Sequence, residues 1–128
     1  MHYFNIFDIM KKTLVFGASL NPNRYSNLAI RRLVDSGIET QAYGLGEGEV
    51  SGVKISNNFD KINDIHTITL YVNPKRQEEY FNELISLAPS RVIFNPGTEN
   101  PIFYRLLEKN GIEVDVACTL VLLSTGQY

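Results

Sequence analysis

The chain has 128 residues, 44% of them hydrophobic, enough for one domain with a real core. A net charge of -2 with Lys and Arg scattered along the chain excludes a nucleic-acid partner, and a single cysteine beside two histidines excludes an intramolecular disulfide and a Cys/His metal cluster. No apolar run approaches the roughly 18 residues of a membrane span, so the chain reads as a cytoplasmic protein with no membrane and no structural metal.

At the start, "MHYFNIFDIM" carries no positive n-region and no small-residue cleavage site. Met10-Lys11-Lys12 directly before a strand looks like an ordinary chain start. The domain is therefore set at residues 10–128, with residues 1–9 an N-terminal extension that is either an upstream start or a tail packing on a neighbour.

Thr13 to Phe16 is a continuous run of the kind buried on both faces of a parallel sheet, and Gly17 ends it. From Ser26 to Ser36 the pairs Ala29 with Leu33 and Ile30 with Val34 stand one helical turn apart, and Gly37 sits where a left-handed C-terminal residue is wanted. Ile38 to Tyr43 reads as a second strand. It is followed by the loop "GLGEGEVSG", a short strand at Val53 to Ile55, and at most one helical turn near Phe59 to Ile62. His66 to Val72 alternates as a strand and stops at Asn73-Pro74. Gln77, Phe81, Leu84, Ile85 and Ala88 then fall on one helical face until Pro89. Arg91 to Phe94 is another strand. Asn100 is the expected N-cap of the next helix, with Pro101 in its first position and Phe103, Leu106 and Leu107 on its core face. Glu113 to Val116 forms the last strand, and "CTLVLLSTGQY" reads equally as a short helix or an extended tail. The alternation predicts an α/β domain with a mostly parallel sheet of about five to six strands.

In such sheets ligands bind beyond the carboxyl ends of the strands, so the loops after strands carry the functional weight. The turn "GASLNPNRYS" is the most informative. Gly17 permits a tight turn, and the following helix directs unpaired N-H groups and the positive end of its dipole at whatever enters. A phosphate is the natural guest, with Ser19, Asn21 and Ser26 as donors and Arg24 as a charged fork. The competing reading is that Ser19, Asn21 and Pro22 only shape the turn and cap the helix. Replacing Gly17 with valine is expected to block a ligand while leaving the chain folded. There is no Walker lysine, and Gly17-Ala18-Ser19 lacks the second glycine of the dinucleotide fingerprint. The end of the second strand, Tyr43-Gly44, also lacks the acid that a nicotinamide dinucleotide wants for its ribose.

"VFGASLNPNRYS", followed in order by "TLYVNP", "VIFNPGTEN" and "GIEVDVAC", resembles the small bacterial CoA-binding-domain proteins. Their fold is similar to the N-terminal domain of the succinyl-CoA synthetase alpha subunit. The likeness runs from Lys12 through nearly the whole chain. It implies a Rossmann-like three-layer fold and a site for CoA or acyl-CoA. In that site the diphosphate lies on Gly17, Ala18 and Ser19 and the following helix, with Asn21 and Arg24 nearby. Val72, Asn73 and Pro74 border the pantetheine path, and Asn95, Pro96 and Gly97 line the floor near the thiol. The family commonly carries asparagine-proline-lysine after its second strand to hold the adenosine end. Here the residues are Tyr43-Gly44-Leu45-Gly46, which leaves Lys54, Lys75 or Arg76 as substitutes, or a different preferred ligand.

No catalytic set assembles. Ser19 lies outside a nucleophile-elbow context, and His66 begins a strand at the far edge of the sheet. Cys118, among apolar neighbours, reads as an inert thiol or as a partner for a mixed disulfide with CoA. Glu99 reads as a base or as a helix-start residue. The expectation is a small-molecule nucleotide ligand, CoA or acyl-CoA, bound by a non-catalytic and regulatory module. The alternatives are an NAD(P)-type enzyme and a protein-interaction module with a vestigial pocket. The apolar ends "MHYFNIF" and "LVLLSTGQY" fit either a homodimer contact or a cover for the chain's own core.

Overall fold

The computed structural model describes residues 11–128, so the expectation for residues 1–9 lies outside the described residues. The strands are β1 (Thr13–Phe16), β2 (Thr40–Tyr43), β3 (Gly48–Val50), β4 (Val53–Ser56), β5 (Thr67–Leu70), β6 (Arg91–Phe94) and β7 (Glu113–Val116). The helices are α1 (Tyr25–Asp35), α2 (Pro74–Gln77), α3 (Phe81–Ser86), α4 (Pro101–Lys109) and α5 (Thr119–Ser124). Short 3-10 turns at Phe59–Lys61 and Glu78–Tyr80 break up the connections.

The strands form one sheet in the order β3-β4-β2-β1-β5-β6-β7, parallel throughout except for the β3-β4 hairpin. That hairpin adds a strand to the five or six read from sequence. "GEV" within a glycine- and acid-rich stretch gives almost no strand signal of its own. It pairs because Ser51 and Gly52, both with positive φ (51° and 81°), reverse the chain onto β4. The helix predicted across Gln77 to Ala88 is segmented instead, with a 3-10 turn between α2 and α3.

Both sheet faces are covered, as the uniform burial of β1, β5 and β6 requires. Side chains alternate along β1. Leu14 and Phe16 face a core with Ile68, Leu70, Phe94 and Phe103, while Val15 faces one with Ile30, Leu33, Ala42 and Ile55. The C-terminal segment settles as α5 plus a tail that covers the second core, with Leu123 and Tyr128 packed against it. Tyr128 hydrogen-bonds Thr13, and its ring lies 4.5 Å beneath the Arg91 guanidinium. Among the described residues no helix is long and apolar enough to cross a membrane.

After β1 the chain moves outward in one direction through β2 to β4 and returns on the other side of β1 as β5. The loops following β1 and β5 therefore diverge across the sheet's carboxyl edge, and a crevice opens between them.

Candidate functional site

The loop after β1 is tied down by backbone and by α1. The amides of Gly17 and Ala18 both donate to Tyr43 O, at 2.9 and 2.8 Å, and the Tyr71 amide donates to Phe16 O at 2.8 Å. Asn27, almost fully buried on α1, donates to Ser19 O, and its own carbonyl accepts from Arg31, which also holds Pro22 O. Gly17 has φ +97°, and a Cβ placed there would meet Tyr71 O and Val72 Cγ2 at 2.8 Å each. The obstruction is protein, so the glycine lets two strand ends close on each other. A valine would strike the fold as well as any ligand, contrary to the sequence expectation.

"GLGEG" works with a period of two. A Cβ on Gly44 would stand 2.4 Å from Ala18 O, and the Leu20 side chain rests on Gly46 and Gly48. Leu45, on the opposite phase, is 70% exposed. The alternating glycines give the β1 loop a track without side chains to lie on.

A groove of about 410 Å³ results, bounded by Gly17 to Asn21, by Tyr43 to Gly46, and by Tyr71, Val72, Arg76 and Tyr80. Beneath it the Phe16 ring stacks on Tyr43 at 4.9 Å between centroids, with Phe59 and Tyr80 against them. Burial and the neighbouring Tyr80 raise the Tyr43 pKa, so its phenol stays protonated. A second cleft of about 400 Å³ adjoins on the α1 side, sharing Gly17, Ser19, Tyr71 and Arg76 and adding Arg24, Tyr25 and Ser26. Among the described residues no carboxylate lines either cleft, although the chain holds 14 Asp and Glu residues. A third cleft beyond Gly46 is bordered by Lys54, Lys61 and Glu47.

The residues singled out in the sequence divide by what their polar atoms do. Gly17, Ala18, Ser19, Asn21 and Val72 line the groove, and Arg24 and Ser26 line the cleft beside it. Both readings of the turn hold at once. Ser19 Oγ accepts from the Asn21 amide at 3.1 Å and Asn21 Oδ1 from the Asn23 amide at 3.0 Å, which leaves the Ser19 proton and the Asn21 amide group available. Asn73 Oδ1 caps α2 by accepting from the Arg76 amide at 3.0 Å, and Pro74 occupies the first helical position. Asn95 is 2% exposed and fully committed. Its amide group donates to Thr69 Oγ1 and Leu70 O at 2.7 and 2.8 Å, and its carbonyl accepts from the Thr119 amide at 2.9 Å. It fastens β5, β6 and α5 together, and neither it nor Pro96 and Gly97 lines either cleft.

Sequence reasoning passed over Gln77, which it placed on an apolar helical face. Gln77 is completely buried, donates to Val72 O and Thr98 O at 2.8 Å, and accepts from Asn100 at 3.0 Å, locking the β5 and β6 loops. Of the proposed lysine substitutes, Lys54 reaches the third cleft and Arg76 lines both of the others, whereas Lys75 lines none of these three. Glu99 caps its own turn by accepting from the Gly97 amide at 2.7 Å. Cys118 is half-buried at the start of α5. His66 pairs with Thr67 at the amino edge, its pKa lowered by burial and by Arg91.

The sequence profile of the family described as the CoA binding domain matches residues 11–124, and the chain belongs to that family. It is similar to a crystal structure of an uncharacterized protein at 48% identity and a TM-score of 0.89, covering 93% of this chain and 98% of that one. A hypothetical protein from Pyrococcus horikoshii OT3 is 25% identical with a TM-score of 0.82, covering 94% and 89%. The dinucleotide-forming acetyl-coenzyme A synthetase 1 of Ca. Korarchaeum cryptofilum, solved with phosphate and ADP, shares the fold. It is 14% identical with a TM-score of 0.70 over 88% of this chain and 26% of that one. No curated protein matches.

Proposed function

We propose that this protein binds CoA or an acyl-CoA across the carboxyl edge of its sheet and, by itself, catalyses no reaction on it. The observation that carries the reading is a groove with no carboxylate among the described residues, at the point where the strand order reverses, in a chain of the CoA binding domain family. Two contiguous clefts of about 400 Å³ each suit a long nucleotide better than a small metabolite. The diphosphate lies on Gly17, Ala18 and Ser19 and the first turn of α1, with Asn21, Arg24 and Ser26 as donors. The pantetheine follows Val72 and the Asn73-Pro74 turn toward the β6 loop at Asn95, Pro96 and Gly97. In this reading Asn73 and Asn95 shape the path through the loops they hold rather than by touching the ligand. What supports a non-catalytic role is the lining of both clefts, which among the described residues offers no carboxylate, cysteine or histidine to activate Ser19 or Ser26. Holding a ligand without turning it over fits a regulatory module in the cytoplasm.

A thermal-shift titration with CoA, acetyl-CoA, NAD, NADP, FMN and ATP tests this. A ligand at about 100 times its dissociation constant stabilises the native state by roughly 2.7 kcal/mol, a shift of several degrees. A shift confined to the CoA compounds is expected. A preference for NADP, or no shift with any ligand, overturns the reading.

A further inference from the structure

We propose that a groove along α1 and α5 is the docking site of this chain's own residues Met1 to Met10. The inference stands apart from the nucleotide reading, because no residue lining this groove lines the clefts at the carboxyl edge.

The two helices lie side by side on one face of the sheet, over the core that holds Ile30 and Leu33, with Leu123 packed against it. Their outer flanks leave two contiguous hollows. One, of about 480 Å³, lies between Leu28 and Arg32 of α1 and Leu120, Val121 and Leu123 of α5. The other, of about 400 Å³, shares Ser36 and Leu123 with it and runs on past Ile38 and Tyr128 to Lys11. The first hollow is apolar where α5 lines it. Val121 is 55% exposed, and Leu120 and Leu123 are only half-buried, as is Leu28 opposite. Such a row gains by being covered.

Sequence and attachment name the cover. Lys11, the first described residue, lines the second hollow, so the residues before it join the fold at the end of the groove. "MHYFNIFDIM" places Tyr3, Ile6, Phe7 and Met10 at i, i+3, i+4 and i+7, the spacing of one helical face, with Asn5 and Asp8 opposite. As a helix the segment would be about 15 Å long, and α1 rises about 12 Å from Ser36 to Leu28, so it reaches the far end of the apolar wall. The family profile begins at residue 11, and a structure 48% identical to this chain is covered to 98% by 93% of it. The shared fold is therefore built without these side chains, and their apolar face is left to find a surface. Attachment at the groove's end gives the chain's own segment a high effective concentration there, which favours it over a second copy.

The test is thermal unfolding of the full chain, of Val121→Asp, of Ile6→Ser/Phe7→Ser, and of all three substitutions together. An aspartate on bare helix surface is nearly neutral, whereas one placed under a docked apolar face is not. Val121→Asp is expected to lower the midpoint by several degrees in the parent and by about one degree or less in the Ile6→Ser/Phe7→Ser background, since the two changes break the same contact. Equal shifts in both backgrounds, or an Ile6→Ser/Phe7→Ser midpoint equal to the parent's, overturn the docking. Light scattering over a concentration series separates the chain's own segment from a neighbour's. The expected result is a mass that Ile6→Ser/Phe7→Ser leaves unchanged. A parent dimer that this variant dissociates would show the segment seated on a second copy and overturn the assignment.

Discussion

Gly17→Ala measures how much of the site is built from backbone closure. The substitution forces a non-glycine residue to φ +97°, which costs about 1–2 kcal/mol. It also drives a Cβ to 2.8 Å from Tyr71 O and Val72 Cγ2. Those neighbours have little room to retreat, because Phe16 O accepts from the Tyr71 amide and Gly17 itself donates to Tyr43 O. Relieving the overlap adds about 1–3 kcal/mol, giving a total near 2–5 kcal/mol. Domains of this kind are stable by only about 5–15 kcal/mol, and the midpoint should fall by roughly 3 °C for each kcal/mol lost. Gly97→Ala is the matched control. Gly97 has φ +92° with nothing within 4 Å of its ideal Cβ, so it carries the conformational cost alone. Urea unfolding of both variants isolates the steric part as their difference. Equal losses would falsify the argument that Gly17 exists to let the β1 and β5 ends meet.

Asn95→Ala leaves Leu70 O and the Thr119 amide without their side-chain partner, and the Thr69 hydroxyl loses its donor. At about 1–3 kcal/mol for each stranded buried group, a loss of about 3–5 kcal/mol in urea unfolding is expected, and a loss below about 1 kcal/mol refutes the fastening role. Tyr71→Phe should go the other way. Among the described residues the Tyr71 hydroxyl is buried without a hydrogen-bond partner, while the Thr69 and Thr119 hydroxyls bond to each other at 2.8 Å, and burial pushes the Tyr71 pKa up to about 12. Removing it should leave thermal stability unchanged or raised, and a drop of several degrees would show that the hydroxyl has a partner after all.

The central strands were legible because burial on both faces demands a run that no other element explains. Thr13 to Phe16 and Arg91 to Phe94 stand where the sequence placed them, as do the more exposed edge strand Glu113 to Val116, Asn100 at its cap and Pro101 behind it. β3 was not legible, since it is three residues long and its first, Gly48, gives strand propensity no side chain to report and lies against Leu20 of the neighbouring loop. Gln77 was placed on the buried face, where it lies, but its fastening role was not legible. Helical spacing registers burial, and a polar residue buried by its hydrogen bonds falls on the same face as an apolar one.

The same limit governs the site. Serine and asparagine after a strand signal a turn, a cap or a ligand contact with one vocabulary, and only an account of each donor and acceptor separates the uses. Asn95 has spent all its capacity on the protein, Asn73 has spent its carbonyl on the cap, and Ser19 retains a proton. The Ser26 hydroxyl makes no hydrogen bond among the described residues, and solvent still reaches it, since Tyr71 Oη is the side-chain polar atom buried without a partner there. That hydroxyl lies in the cleft lined by Arg24 and Arg76, at the end of α1 whose first amides are unpaired among the described residues. The uncommitted donors stand on both sides of Gly17, with the Ser26 hydroxyl in the cleft beside α1, the Asn21 amide group in the groove, and Ser19 lining both. The polar capacity of this edge is therefore shared between groove and cleft, and the glycine track under Leu20 keeps the β1 loop close against the end of β2.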